Sequence, residues 1–236
     1  MASHVIAIDG PSASGKSSTA RAVAGALGFV HLDSGALYRG VTLVALREME
    51  RRGLPPADPL AAIGAETILR LAEERGLMLV PDGPGFAVYL EGEPVDSAIR
   101  RADVTANVSP VSAVPVIREW VNSHLRALVR AGTDVVVDGR DIGTVVFPDA
   151  DLKIFLTAEP EARARRRLVQ TGSGPTPERL AIETAALAAR DRADSTRSVA
   201  PLRRAEDALD LDTTNLSFEE QVAWIVKKAG EVRGKR

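Results

Sequence analysis

Gly10-Pro11-Ser12-Ala13-Ser14-Gly15-Lys16-Ser17 is the stretch that decides the fold. It fits the G-x-x-x-x-G-K-S/T pattern in full. The pattern has a physical basis. Successive backbone N–H groups must converge on phosphate oxygens, and glycines permit the close approach. Lys16 then sits against the outer phosphates and the Ser17 hydroxyl is placed to ligate magnesium. A helix starting at the loop adds the positive end of its dipole. The context agrees: Val5 to Ile8 is a short apolar run that reads as a buried strand, and Lys16 to Leu27 reads as a helix stopped by Gly28.

Working outward, Phe29 to Leu32 predicts a second strand, and Ser34-Gly35 opens a helix with Leu37, Val41 and Val44 on helical spacing. Leu54 to Pro59 is a proline-rich break. Leu77 to Val80 and Phe86 to Leu90 flank Pro-Asp-Gly-Pro-Gly and predict a hairpin. Val116 to Ala131 predicts a helix and Asp134 to Val137 a core strand. Leu152 to Leu156 predicts another strand, Glu159 to Val169 an arginine-rich helix, and Pro177 to Arg192 a long helix. A strand near Ala208 to Leu211 and a helix from Phe218 to about Val232 close the chain. Strands alternating with helices predict an α/β fold, a doubly wound parallel sheet of about five strands with helices on both faces. The expected organisation is a single domain over 1–236: a core of 1–59 and 109–236, an insert over 60–108 holding the antiparallel element, and a short lid near 160–176.

The chain has 236 residues, 45% of them hydrophobic, enough for a sizeable core. Thirty basic residues against 32 acidic ones give a net charge of -2, which offers no electrostatic basis for broad nucleic-acid or membrane binding. The absence of cysteine excludes disulfides, thiol catalysis and thiolate metal sites. His4, His31 and His124 are too far apart in sequence to suggest a local metal site. The opening MASHVIAIDG lacks the pattern of a signal peptide, and no run approaches about 18 apolar residues. A cytoplasmic enzyme is expected, with nothing demanding more than a monomer.

Four further segments narrow the reading: Leu32-Asp-Ser-Gly-Ala-Leu-Tyr-Arg39, Asp138-Gly-Arg-Asp-Ile-Gly-Thr-Val-Val-Phe-Pro-Asp149, Arg190-Asp-Arg-Ala-Asp-Ser-Thr-Arg197 and Val199-Ala-Pro-Leu202. With the glycine loop they resemble the bacterial cytidylate kinases, a group of nucleoside-monophosphate kinases, nearly end to end. The resemblance implies ATP-dependent phosphorylation of CMP and dCMP to CDP and dCDP, with ADP as the other product. It implies ATP binding by Gly10, Pro11, Ser12, Ala13, Ser14, Gly15, Lys16, Ser17 and Ser18. The implied monophosphate site comprises Ser34, Tyr38, Arg39, Ser109, Arg118, Arg140, Asp141, Arg190, Asp194 and Arg197. By that match Ser109, Arg118 and Asp141 hold the base, Arg190 and Asp194 reach the ribose, and Arg39, Arg140 and Arg197 grip the phosphate. The insert matches the family's enlarged monophosphate-binding region, and Arg163 to Arg167 the start of its lid. Lys16, Arg140, Arg197, Arg163 and Arg167 are the implied catalytic cations.

The chemistry of the residues points the same way. Arginine forks suit a nearly dianionic monophosphate, and ligands of doubly wound sheets bind at the carboxyl ends of strands, where Arg39 and Arg140 fall. A carboxylate at Asp141 accepting from the cytosine amine, with Arg118 donating to the ring nitrogen, disfavours uracil by leaving mismatched groups unpaired. Mg2+ is the expected cofactor, held by Ser17 and, through water, by Asp138 or Asp33. Some readings stay open. Arg163 to Arg167 is a solvated helix face or a lid; Tyr38 is helix packing or a ligand; Asp194 and Arg197 are a surface ion pair or site residues. The rival functions are a P-loop kinase for another acceptor and a nucleotide switch, though a guanine-specifying N-K-x-D segment is absent.

Overall fold

In a computed structural model, the residues described are 3–55, 58–130 and 132–233. The expected proline-rich break and the end of the helix expected over 116–131 reach 56–57 and 131, which lie outside the described residues, as does the basic end at 234–236. The chain divides into two compact units, Met1–His31 with Gly132–Arg236, and Leu32–Ala131.

The first unit is built on a five-stranded sheet in the order β2-β6-β1-β7-β8. Its strands are β1 (Val5–Asp9), β2 (Val30–Asp33), β6 (Val135–Gly139), β7 (Leu152–Thr157) and β8 (Leu209–Asp212). Parallel pairings join β1 to β6 with Ile8 opposite Asp138, β1 to β7 with Ile8 opposite Ile154, and β7 to β8 with Leu156 opposite Leu211. Every residue of β1 and β6 is buried, as central parallel strands require. Strand alternation puts Ile6, Ile8, Leu152, Ile154 and Leu156 in one cluster with Ala20, Val23 and Ala24 of α1 (Lys16–Leu27) and Ile225 and Ala229 of α9 (Phe218–Arg233). Each fully buried Ile or Leu there contributes about 1.5–3 kcal/mol relative to exposure. α1 ends where expected, on Gly28 in the left-handed conformation. α7 (Pro160–Gln170) and α8 (Pro177–Thr196) pack on each other, and Thr176 caps α8 by accepting the Arg179 N–H.

α8 is one turn longer than expected, because Asp-Arg-Ala-Asp-Ser-Thr contains no glycine or proline to stop it after Arg192. The extra turn puts Arg190, Asp191 and Asp194 on one continuous helix. At 142–146, to which the sequence reading assigned no element, the apolar Ile-Gly-Thr-Val-Val winds into a single π-type turn.

The second unit centres on α2 (Ser34–Arg51), with α3 (Pro59–Ile63), α4 (Ala65–Glu74), α5 (Ala102–Ala113), α6 (Pro115–Arg130) and a three-stranded sheet. The predicted hairpin is present as β3 (Met78–Asp82) and β4 (Gly85–Leu90), and β5 (Glu93–Pro94) adds a short antiparallel third strand. α3, α4 and α5 were not read from sequence: Gly64 separates two short apolar patterns, and α5 contains β-branched residues and Pro110. α2 lies so close to the hairpin that a Cβ at Gly40 would come 2.7 Å from Leu77 Cδ1 and 3.2 Å from Val88 Cγ1. Among the described residues, no helix is long and apolar enough to cross a membrane.

Candidate active site

The glycine loop leaves the buried carboxyl end of β1. Glycine is obligatory at position 10, since a Cβ there would stand 2.0 Å from the Leu156 carbonyl oxygen on β7. Gly15 takes φ 97° and Ala13 φ 57°, so the loop turns through left-handed geometry at two residues, one of which carries a side chain. Lys16 is 6% exposed, and its ammonium donates to the Pro11 carbonyl at 2.7 Å and to Ser14 Oγ at 3.5 Å. Burial pushes its pKa down to about 7, and the Arg140 charge pushes the same way. A cation placed so is poorly served by the protein alone and well served by an anion.

Ser17, the next residue, donates its hydroxyl to Asp138 Oδ2 at 2.6 Å, and His31 Nε2 lies 2.8 Å from the other oxygen. Burial works to raise the Asp138 pKa. The His31 hydrogen bond and charge, the Ser17 hydroxyl and Lys16 together outweigh it and hold the carboxyl below its ordinary value. A hydroxyl beside a buried, ionised carboxylate is a hard-oxygen donor set suited to Mg2+. His31 was set aside in the sequence as remote from the other histidines; its role comes from a residue 107 positions away.

Beyond β6 the chain places Arg140 and Asp141. Arg140 Nε donates to Asp194 Oδ2 at 2.9 Å and Nη2 to Ser12 Oγ at 2.9 Å. Arg197 Nη2 meets Asp141 Oδ1 at 3.5 Å. Asp9, the last residue of β1, accepts the N–H groups of Ile142 and Gly143, each at 2.8 Å, and so pins the backbone just after Asp141. Burial raises the Asp9 pKa to about 6, against the pull of those two amides. Arg190 reaches the same region with its Nε buried and lacking any hydrogen-bond partner. Burial, then the Arg140 charge, lower its pKa. Among the described residues, neither Lys16 nor Arg190 has a carboxylate within ion-pair distance.

The arginine run of α7 divides by position. Arg163 is 7% exposed, donating to the Ala158 and Ser12 carbonyls and to Asp191. Its Nε and Nη1 donors are thus engaged with backbone carbonyls and a carboxylate. Arg166, which the sequence reading placed only within the Arg163–Arg167 lid or solvated-face segment, donates to the Ser14 carbonyl at 3.3 Å and to Thr213. Arg165 pairs with Glu161 at the surface, and Arg167 meets Gln170 at 3.2 Å. Asp194 and Arg197 do not pair as neighbours on a helix: Asp194 holds Arg140, and Arg197 lies just past the end of α8.

In the second unit, Ser34 begins α2 next to Asp33, whose carboxylate lies 3.7 Å from Arg100. Tyr38 is buried, its hydroxyl 3.4 Å from Asn122 Oδ1, and the Arg118 guanidinium covers its ring at 5.3 Å. The packing of Tyr38 orients Arg118, which also donates to the Ser112 carbonyl at 2.9 Å. Arg39 is steadied by Thr105 Oγ1 at 2.9 Å and the Ile99 carbonyl at 3.3 Å. Ser109 lies on α5, its carbonyl accepting from Ser112 Oγ.

Comparison with known proteins adds to this geometry. The family described as cytidylate kinase matches residues 6–231. A cytidylate kinase of Porphyromonas gingivalis is 40% identical over 234 residues, covering 98% of this chain and 97% of that protein. One from Streptomyces griseus is 42% identical, covering 99% and 94%, and one from an Exiguobacterium species is 44% identical, covering 97% of each.

Proposed function

The chain belongs to the cytidylate kinase family, and from that premise we propose that it transfers the γ-phosphoryl group of ATP to CMP and dCMP, giving CDP or dCDP and ADP. The observation that carries this reading is the concentration of buried positive charge at the glycine loop. Among the described residues Lys16 and Arg190 have no carboxylate within ion-pair distance, and both have their charged forms disfavoured by burial and by Arg140. Phosphates bound there restore the balance that the protein leaves open.

The reaction needs little covalent help. A phosphate oxygen of CMP bonds to the γ-phosphorus as the bond to the β,γ-bridging oxygen breaks, and ADP leaves. The acceptor is largely dianionic at neutral pH, so no proton has to be removed first. Catalysis is then alignment and charge stabilisation. In this reading the loop amides of residues 10–18 hold the ATP phosphates, Lys16 follows the transferring group, and Arg39, Arg140 and Arg197 hold the acceptor phosphate. Arg190 and Asp194 reach the ribose, and Ser34 and Tyr38 complete that side. Arg118, Asp141 and Ser109 read the base, which favours cytosine. Ser17 would hold Mg2+, with Asp138 (or Asp33) as its acidic partner through water. That ion supplies charge neutralisation and orientation of the phosphates. The stretch 160–176 serves as a lid, with Arg167 as its closing cation, Arg163 bracing the loop, and 60–108 as the acceptor-side insert. The enzyme works as a monomer in the cytoplasm.

Mixing protein, ATP, Mg2+ and CMP and following ADP release tests the reading. Expected is turnover that depends on CMP or dCMP; ADP release indifferent to either overturns it. Asp141→Ala is expected to lose more activity on CMP than on UMP, and an equal loss on both removes the base assignment. Rapid acid quench is expected to trap no phosphoenzyme.

A further inference from the structure

Ser12 is a small loop residue with every polar group engaged by a charged partner. Its N–H donates to Asp191 Oδ1 at 2.8 Å, its carbonyl accepts from Arg163 Nη1 at 2.9 Å, and its hydroxyl accepts from Arg140 Nη2 at 2.9 Å. The same Arg163 nitrogen meets Asp191 Oδ2 at 2.5 Å, while Arg163 Nε is anchored to the Ala158 carbonyl just past β7 at 3.0 Å. Asp191 and Asp194 stand about one turn apart on α8, and each sends an arginine to Ser12: Arg163 from the first, Arg140 from the second. Ser12 and Arg163 are buried, and the Asp191 side chain is 16% exposed.

The residue after this junction explains why such a grip is needed. Ala13 holds φ 57°, a conformation that a residue with a Cβ leaves unless its neighbours over-determine it. Fixing the N–H and the carbonyl of Ser12 fixes the peptide planes on both sides of it, the second of which leads into Ala13. The amides that follow are aimed by that plane. Charge-assisted bonds, shorter and stronger than neutral ones, suit the task.

We infer that Asp191, acting with Arg163 on Ser12, is a positioning residue that holds the phosphate loop in its binding shape and ties it to the helix carrying Arg190 and Asp194. The inference rests on the phosphoryl-transfer reading for its catalytic consequence. Its first consequence, the shape of the loop, is independent of the acceptor.

The test is a graded set of full-length variants: Asp191→Asn, which keeps an acceptor for the Ser12 N–H but removes the ion pair, Asp191→Ala, which removes both, Arg163→Met, and the Asp191→Asn/Arg163→Met double. Affinity for a non-hydrolysable ATP analogue is measured by titration calorimetry, alongside kcat and KM for ATP and CMP. Expected is analogue affinity weakened about 10-fold in Asp191→Asn and more in Asp191→Ala. The double variant is expected to be no worse than the poorer single, as for groups acting as one unit. Both KM values should rise while the melting temperature of Asp191→Asn moves little. Analogue affinity within twofold of the parent, or losses that add in the double variant, overturns the inference. A parent chain that binds the analogue but ignores CMP overturns the functional reading instead and leaves the loop result standing. Should Asp191→Ala not fold, Asp191→Asn still decides.

Discussion

Glu48 in the second unit and Lys16 in the first both sit among arginines, and the two surroundings are built to opposite ends. Glu48 is fully buried, with Arg51, Arg52 and Arg75 at 2.6, 2.7 and 2.5 Å. The hydrogen bonds from Arg51 and then Arg52 hold its carboxyl far below its ordinary 4.5. Three cations around one acid make a closed brace that ties α2 to the end of α4. At the glycine loop, carboxylates take up Arg140, Arg163 and Arg197, while among the described residues Lys16 and Arg190 have none within ion-pair distance. A brace keeps its charges for itself; a site leaves some for a ligand.

The comparison can be broken at its strongest point. Lys16→Met is expected to lower kcat on the order of 10²–10³-fold, without lowering the melting temperature of the nucleotide-free protein, since a desolvated cation is replaced by an apolar group. Its pKa of about 7, against 10.5 in the ordinary state, adds a sign. A group held low in the free protein regains its proton when phosphates arrive. ATP binding near pH 8 should therefore take up a proton and weaken as pH rises, seen by calorimetry in buffers of different ionisation enthalpy. Loss of that uptake in Lys16→Met assigns it.

Arg190→Met comes next, with kcat/KM for CMP expected to fall about 10²-fold and thermal stability unchanged or higher. A large fall in stability would mean Arg190 is a brace like the arginines of Glu48. Glu48→Gln is the converse. Its melting temperature should fall, by the equivalent of about 1–3 kcal/mol for a lost charged hydrogen-bond network, with kcat within twofold. A depressed carboxyl stabilises above its unfolded pKa and loses that contribution as pH falls, so the gap between parent and variant should narrow below about pH 4.5. Smallest of all, Arg192→Ala, exposed on α8 between Arg190 and Asp194, should leave both activity and stability within twofold.

These two corners also mark how far the sequence could be read. The strand, loop and helix of residues 5–27 were legible in full, because a strand end, a phosphate cradle and a helix start are all written in adjacent residues. Arg140, Arg190, Asp194 and Arg197 were legible as types in the right order. What was hidden were contacts between distant positions: Ser12 with Asp191 across 179 residues, Ser12 with Arg140 across 128, and His31 with Asp138 across 107. No local pattern encodes these, since each partner is brought near by the sheet order. The arginine run of α7 shows the same limit within a single helix. Side chains one residue apart point to different surroundings, so Arg165 remains at the surface while Arg163 and Arg166 turn toward the loop.

The close seat of α2 on the hairpin has a consequence of its own. At position 40 a Cβ would press on the Leu77 and Val88 side chains, and the two residues before it are Tyr38 and Arg39. A methyl group there would act as a shim, lifting the helix at the point where it presents both. On the proposed assignment of Tyr38 and Arg39 to the acceptor side, Gly40→Ala is expected to weaken monophosphate binding and leave nucleotide-donor affinity as it was, a handle on one substrate alone.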